Sequence, residues 1–276
     1  MEKTDCHTHT YLSNHGTGTV NEVVAAACAQ GLTTIAITEH LPLPKSVNTD
    51  GSFAMDADKL GFYLQEVEAA RAAYPQIEVI CGTEVDWREG AEDYILNLLA
   101  SHGSPFELVL GSVHMLSEAD GSHWEFDHPD FISGWEECGE EQVWQRYFEL
   151  WRDAVRSVVP FQLMTHPDLP KKLGFKPKFD ARELYQAMAT EAAKAGVMVE
   201  VNTSGLHKPV RELYPTQALL EAFCAAKVDC TVSSDAHCPA DVGRDLDKGY
   251  HAMMLAGYTH VTVPTRSGDR RKIELL

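Results

Sequence analysis

The stretch Asp5-Cys6-His7-Thr8-His9-Thr10 carries the feature on which the fold reading turns. In an extended strand alternate side chains share a face, so His7 and His9 project to one side and can grip a single ion. Two histidines two apart are also common as plain polar surface, so the reading depends on whether the feature recurs. Working outward, β-rich apolar stretches lie at 33–37, 78–81, 107–110, 161–164, 197–201, 228–232 and 259–263. Helical patterns alternate with them at 20–30, 56–74, 91–101, 142–159, 181–195, 216–226 and 239–256. Gly31, Gly196 and Gly257 stand just past apolar-periodic runs, where a left-handed residue ends a helix. Repeated βα units of this kind imply an α/β fold with a parallel sheet, open or closed into a barrel.

The strand ends repeat the opening theme. The second strand runs out into Thr38-Glu39-His40, the third into Gly82-Thr83-Glu84-Val85-Asp86 and the fourth into Gly111-Ser112-Val113-His114. Later strands end in Thr165-His166-Pro167-Asp168 and Ser233-Ser234-Asp235-Ala236-His237. One histidine at a strand end is ordinary, but five strands ending in imidazole or carboxylate point to one shared rim, because parallel α/β folds gather their sites at the carboxyl ends of the strands. His7, His9, Glu84, His114, His166, Asp235 and His237 exceed the roughly four ligands that one zinc-like ion takes, so two or more metals are expected. A carboxylate among imidazoles can bridge two cations, which singles out Glu84 or Asp235. Paired ions activate water and stabilise entering and leaving oxygens, so hydrolysis of a phosphate ester is the favoured chemistry.

Composition narrows the class. The 276 residues carry 23 basic and 41 acidic side chains, a formal charge of -18, which repels nucleic acid over most of the surface. A local basic pocket or bound cations still suit a small anion. No stretch approaches the roughly 18 to 20 apolar residues of a membrane span, and Met-Glu-Lys-Thr-Asp lacks a signal-peptide layout, so a soluble, cytoplasmic protein without a membrane partner is expected. Seven cysteines without CxxC spacing argue against a disulfide framework and a thiolate zinc site. No linker or low-complexity tract breaks the pattern, which reads as one domain over 1–276, either monomer or homodimer. Long irregular segments at 41–53 and 115–141 read as functional covers.

With these motifs in place, the chain resembles the polymerase and histidinol phosphatase (PHP) superfamily, and within it the monofunctional histidinol-phosphate phosphatases. The resemblance rests on His7-Thr8-His9, Thr38-Glu39-His40, Gly82-Thr83-Glu84, Gly111-Ser112-Val113-His114, His166-Pro167-Asp168 and the stretches 200–206 and 233–244. Trp124-Glu125-Phe126-Asp127, followed by Tyr147-Phe148-Glu149, resembles the loop and helix of the phosphatase branch. The resemblance implies a distorted TIM-like barrel of about seven βα units and a trinuclear metal site at the carboxyl ends of its strands. It assigns a first divalent ion to His7, His9, Glu84 and Asp235, a second to Glu84, His114 and His166, and a third to His15, His40 and His237. His15 enters only through the resemblance, since a loop histidine is otherwise read as solvated. Zinc, iron and manganese all suit such ligands.

The implied reaction is hydrolysis of L-histidinol phosphate to L-histidinol and phosphate in histidine biosynthesis, by a hydroxide bridging two metals, with Glu84 in the centre and a metal-bound water or a nearby acid, Asp235 or His237, as the proton donor. Another small phosphate ester, or a non-catalytic metal-binding regulatory domain, is the alternative. The chain departs from the family where arginines usually clamp the phosphate: it reads Pro170-Lys171-Lys172 and Thr203-Ser204-Gly205-Leu206-His207-Lys208. Lysine lacks the fork of a guanidinium, so the clamp differs in kind. Lys171, His207 and Lys208 are the expected phosphate contacts, with Arg211 and Arg244 as substitutes.

Overall fold

A computed structural model describes residues 2–117 and 123–275; residues 118–122 of the long segment 115–141 lie outside it. Seven strands form one parallel sheet in the order β1, β2, β3, β4, β7, β8, β9. Numbered along the chain, they are β1 (Thr4–Asp5), β2 (Thr34–Ile37), β3 (Glu78–Asp86) and β4 (Leu108–Ser112), then, after a hairpin of β5 (Met115–Ser117) and β6 (His123–Glu125), β7 (Leu163–Met164), β8 (Met198–Asn202) and β9 (Cys230–Ser233). The sheet curls into a barrel whose seam joins its first and last strands. There the Asp235 amide donates to the His7 carbonyl at 3.0 Å, the His9 amide donates to the Ala236 carbonyl at 2.8 Å, and Thr8 bridges Ala236 in parallel. Asp5, fully buried, reinforces the seam by accepting from the backbone amides of Ser234 and Gly243 at 2.9 Å each.

Helices α1 (Val20–Ala29), α2 (Leu60–Ala73), α3 (Glu92–Ala100), α4 (Ser133–Cys138), α5 (Glu140–Arg156), α6 (Arg182–Ala195), α7 (Gln217–Ala225) and α8 (Leu246–Ala256) surround the barrel. Their sequences explain them. Thr19 and Glu22 form a reciprocal capping box that starts α1, a device contributing about 1 kcal/mol. Trp144, Tyr147, Phe148 and Trp151 recur at helical spacing along α5 and form one buried stripe, in which Phe148 meets Tyr185 of α6 and Trp151 meets Phe223 of α7. Strand alternation sorts the rest. On β2, Ile35 and Ile37 face the helices while Ala36 joins Ile80, Leu108, Leu110, Leu163 and Met198 in a separate apolar plug. That plug fills the barrel interior and leaves the polar ligands the opposite end.

Four expectations need correction. The stretch 259–263 forms β10 (His260–Pro264), which pairs antiparallel with β11 (Arg270–Glu274) outside the barrel sheet. β11 reads Arg-Arg-Lys-Ile-Glu, and its polar outward face hid the strand pattern. The helix expected over 239–256 begins only at Leu246, because Gly243 and Asp245 take left-handed backbone angles. β3 does not stop at Cys81 but pairs with β4 through Asp86, which carries Glu84 on a strand rather than on a loop. Within 115–141, the β5–β6 hairpin and α4 replace what reads as irregular chain.

Candidate metal centre

Glu84 lies at the centre of the rim, one per cent exposed. Alternation along β3 puts it on the same inward face as Ile80, at the polar end of the interior. Its Oε2 lies 3.2 Å from His7 Nε2, 3.3 Å from His9 Nε2 and 3.2 Å from His40 Nδ1. Its Oε1 lies 3.2 Å from His166 Nε2 and 3.9 Å from His114 Nε2. One carboxylate thus presents each oxygen to a different set of imidazoles. Asp235 approaches from β9, with Oδ1 3.5 Å from His9 Nε2 and 3.7 Å from His7 Nε2, while its Oδ2 accepts from Asn202 and Ser204 at 3.2 Å each.

His15 joins the group through a turn. A short 3-10 helix, Tyr11–Ser13, and a left-handed Asn14 redirect the chain, and His15 Nε2 comes within 3.0 Å of His237 Nε2. The rings of His15 and His40 are 5.1 Å apart. His166 and Asp235 both take positive φ, of 23° and 52°. Such backbone costs on the order of 1–3 kcal/mol and persists only when its surroundings hold it. Here the His166 amide donates to Glu200 at 3.0 Å and the Asp235 amide to the β1 extension.

These residues fit metal ions. His7 Nδ1 donates to Glu200, His15 Nδ1 to the Ser52 carbonyl and His237 Nδ1 to the Asp235 carbonyl, so each of these rings turns an Nε2 lone pair inward. Two Nε2 pairs, His7 with His9 and His15 with His237, stand 3.0 Å apart, and in the second both rings turn a lone pair to the other. Facing lone pairs at that distance repel unless a cation lies between or beside them. Donor atoms of three groups each lie within 4.8 Å of one another: His9, His40 and His237; His7, His9 and Asp235; His40, Glu84 and His114. His40 therefore stands between the His15 and His237 side and the Glu84 side, where the resemblance gave it to one ion alone.

Electrostatics agree. Burial, then the neighbouring His237, pushes the His9 imidazole down to about 3, and burial with His237 pushes His15 down to about 4. Burial also drives His40 well below its ordinary value and lowers His237. Neutral imidazoles are the ligand form. Burial opposes ionisation of Glu84, yet His7 and His40 hold its carboxyl well below the usual range. Burial likewise opposes ionisation of Asp235, yet His7, His237 and His9 hold its carboxyl below the usual range. His7 goes the other way: against burial, Glu200, Glu84 and Asp235 raise it well above its ordinary value. Burial lowers His114, but Asp86, 3.3 Å from its Nδ1, and Glu84 bring it up to about 9. A cation in the centre takes the place of those protons.

Glu200 is the residue that sequence reasoning passed over. It is fully buried on β8 and accepts from His7 Nδ1 at 3.2 Å, from the His166 amide and from Asn202 at 2.8 Å. A carboxylate behind a ligand histidine fixes its tautomer and aim. The signal was a lone acid inside the apolar run Val199-Glu200-Val201, since a buried charge needs partners.

The expected substrate contacts divide. A cavity of about 660 Å³ opens over the centre, and Lys208 lines it. Lys171 does not. It is fully buried, 2.8 Å from Asp168 Oδ2, and donates to the Leu213 carbonyl at 2.7 Å, so its charge is already matched. Lys172 takes its place on the wall and pairs at 2.6 Å with the buried Asp127. His207 and Arg244 bond to one another beside the cavity, His207 also to Asp245 at 2.6 Å and Arg244 to Asp241 at 2.6 Å. Neither lines it. Phe53, Phe131 and His128 form part of the outer wall.

A model of the PHP domain matches residues 5–204. A Deinococcus radiodurans protein named "Probable histidinol-phosphatase" is 33% identical over 241 residues, covering 87% of this chain and 88% of that one. The histidinol-phosphatase of Bacillus subtilis is 28% identical over 262 residues, covering 88% and 96%. Among solved structures, histidinol phosphate phosphatase of Lactococcus lactis, complexed with zinc, L-histidinol and phosphate, superposes with a TM-score of 0.78 at 21% identity, covering 98% of this chain and 99% of that one, a likeness of fold. On the strength of the domain match and the 33% identical relative, the chain belongs to the PHP domain family.

Proposed function

We propose that this protein is a metal-dependent phosphatase that hydrolyses L-histidinol phosphate to L-histidinol and phosphate. The observation that carries it is Glu84, whose two oxygens each face a separate set of imidazoles on the floor of a cavity walled by Lys172 and Lys208. Its relatives named for histidinol phosphate support the substrate. Three ions are the number the ligand set suits: His7, His9, Glu84 and Asp235 for one, Glu84, His114 and His166 for a second, His15, His40 and His237 for a third. When bound, such ions supply positive charge against the phosphoryl oxygens and make water more acidic.

The chain's own groups do the rest. Glu84 and Asp235 stay anionic and His9, His15, His40 and His237 neutral, which keeps the ligand set in its binding form. Asp235 acts as a ligand and not as the acid for the departing alcohol, since its Oδ1 faces His7 and His9 and its Oδ2 already accepts from Asn202 and Ser204. His237 uses its one N–H on the Asp235 carbonyl. In the net step water oxygen bonds to phosphorus, the bond from phosphorus to the histidinol oxygen breaks, and that oxygen takes up in net terms the proton that the water gives up.

The outer cavity suits a cationic alcohol. Asp50, Glu125, Asp127 and Asp130 line it with the aromatic Phe53 and Phe131, a setting for an ammonium and an imidazole ring rather than for a sugar or a nucleotide. A panel of phosphomonoesters tests this on metal-loaded protein: kcat/KM for L-histidinol phosphate should exceed that for ribose 5-phosphate and adenosine monophosphate by about a hundredfold. Equal turnover across the panel would remove the assigned substrate. Lys208→Met should raise KM about tenfold, the effect of losing one charge-assisted bond to phosphate, without changing metal content. An unaltered KM would place Lys208 outside the site.

A further inference from the structure

Four buried polar side-chain atoms that lack a hydrogen-bond partner among the described residues belong to residues lining the cavity. Three are the Nδ1 atoms of His40, His114 and His166, of which the first two lie beside the Glu84 and Asp86 carboxylates, at 3.2 and 3.3 Å, but outside hydrogen-bond geometry. The fourth is the hydroxyl of Tyr214, a residue one per cent exposed. A buried hydroxyl without a partner costs free energy, so a fold that keeps one in a binding cavity keeps it for something that enters.

The ring is held from three sides. The Tyr214 backbone pairs both ways with Asn202, amide to carbonyl at 3.0 Å and carbonyl to amide at 2.6 Å. Asn202 in turn bonds Glu200 and Asp235, so the tyrosine is tied to the same strand end as the ligands. Gly205 lies flat against the ring, where an added Cβ would come within 2.9 Å of it and 2.2 Å of the Glu212 carbonyl. The Lys171 ammonium, paired with Asp168 at 2.8 Å, sits over the ring 5.5 Å from its centroid. The His166 ring stands edge-on at 6.3 Å. Burial, together with Asp168, Asp127 and Asp235, raises the hydroxyl well above its ordinary value, so it stays protonated and can only serve an anion as a donor.

We infer that Tyr214 is a substrate-binding residue whose hydroxyl donates a hydrogen bond to a phosphoryl oxygen, completing a donor wall with Lys172 and Lys208. The inference rests on reading this cavity as a phosphatase site. Lys171, expected at the phosphate, acts instead from behind the ring.

Tyr214→Phe removes the hydroxyl and keeps the ring. Inorganic phosphate titrated calorimetrically into metal-loaded protein should bind the variant about tenfold to a hundredfold more weakly than the parent, with metal content and melting temperature retained. kcat/KM for L-histidinol phosphate should fall by a similar factor. Phosphate binding needs no histidinol moiety, so this readout stands even if another ester proves to be the substrate. Unchanged phosphate affinity, or a fall that tracks lost metal, overturns the assignment.

Discussion

Glu84→Gln should lower kcat/KM by on the order of a thousandfold or more and lose at least one equivalent of bound metal. The amide fills the same space, so the fold has no steric reason to fail. What changes is charge: each Glu84 oxygen faces its own imidazole set, and the amide nitrogen puts hydrogens where one set expects a lone pair. Metal ions at a phosphoryl centre supply several kcal/mol of transition-state stabilisation, and each 1.36 kcal/mol or so is tenfold in rate. Steady-state kinetics beside elemental analysis checks the result. A variant with full metal content and a tenth or more of parental activity would show that the two sets do not share this carboxylate.

Removal of the metals should lower the melting temperature by about 10 °C or more, with recovery on adding them back. The ligands come from the ends of β1, β2, β3, β4, β7 and β9, so ions tie most of the barrel rim together. Without them Glu84 and Asp235 remain buried among His9, His40 and His237, which burial keeps neutral, and depend for opposite charge on His7 and His114, which are raised. An ion at about a thousand times its Kd stabilises the folded state by about 4 kcal/mol, and each kcal/mol moves the midpoint by roughly 2–4 °C in a chain of this size. Thermal melts before and after chelation, on protein shown by elemental analysis to be metal-free, give the measurement. An unchanged midpoint would mean that the rim holds itself.

Much of the centre was legible because its residues sit where parallel strands end. His7, His9, His40, Glu84, His114, His166, Asp235 and His237 all lie at or just past such ends, and periodicity alone finds those. His15 has no periodic context. Its position depends on a 3-10 turn and one left-handed residue, which only the family resemblance could supply. Lys171 and Lys172 show a different limit. Both lie in one 3-10 turn, Leu169–Leu173, where neighbours diverge by about a third of a turn, so composition cannot say which lysine faces the cavity. Tyr214 and Glu200 were hidden for the ordinary reason that tyrosine and a strand acid are common, and their importance lies in contacts across the sheet. The β10–β11 hairpin was missed because one of its strands offers almost no apolar alternation.

The seam between Asp5 and Ser234 bears on how the molecule is made. His7 and His9 leave the ribosome long before Asp235 and His237, so for most of synthesis the nascent chain carries an imidazole pair with no completed pocket to enter. Pairings so distant along the chain form late and slowly. A ribosome stalled between β8 and β9 would therefore display a half-built chelator, open to whatever cation the cell offers first.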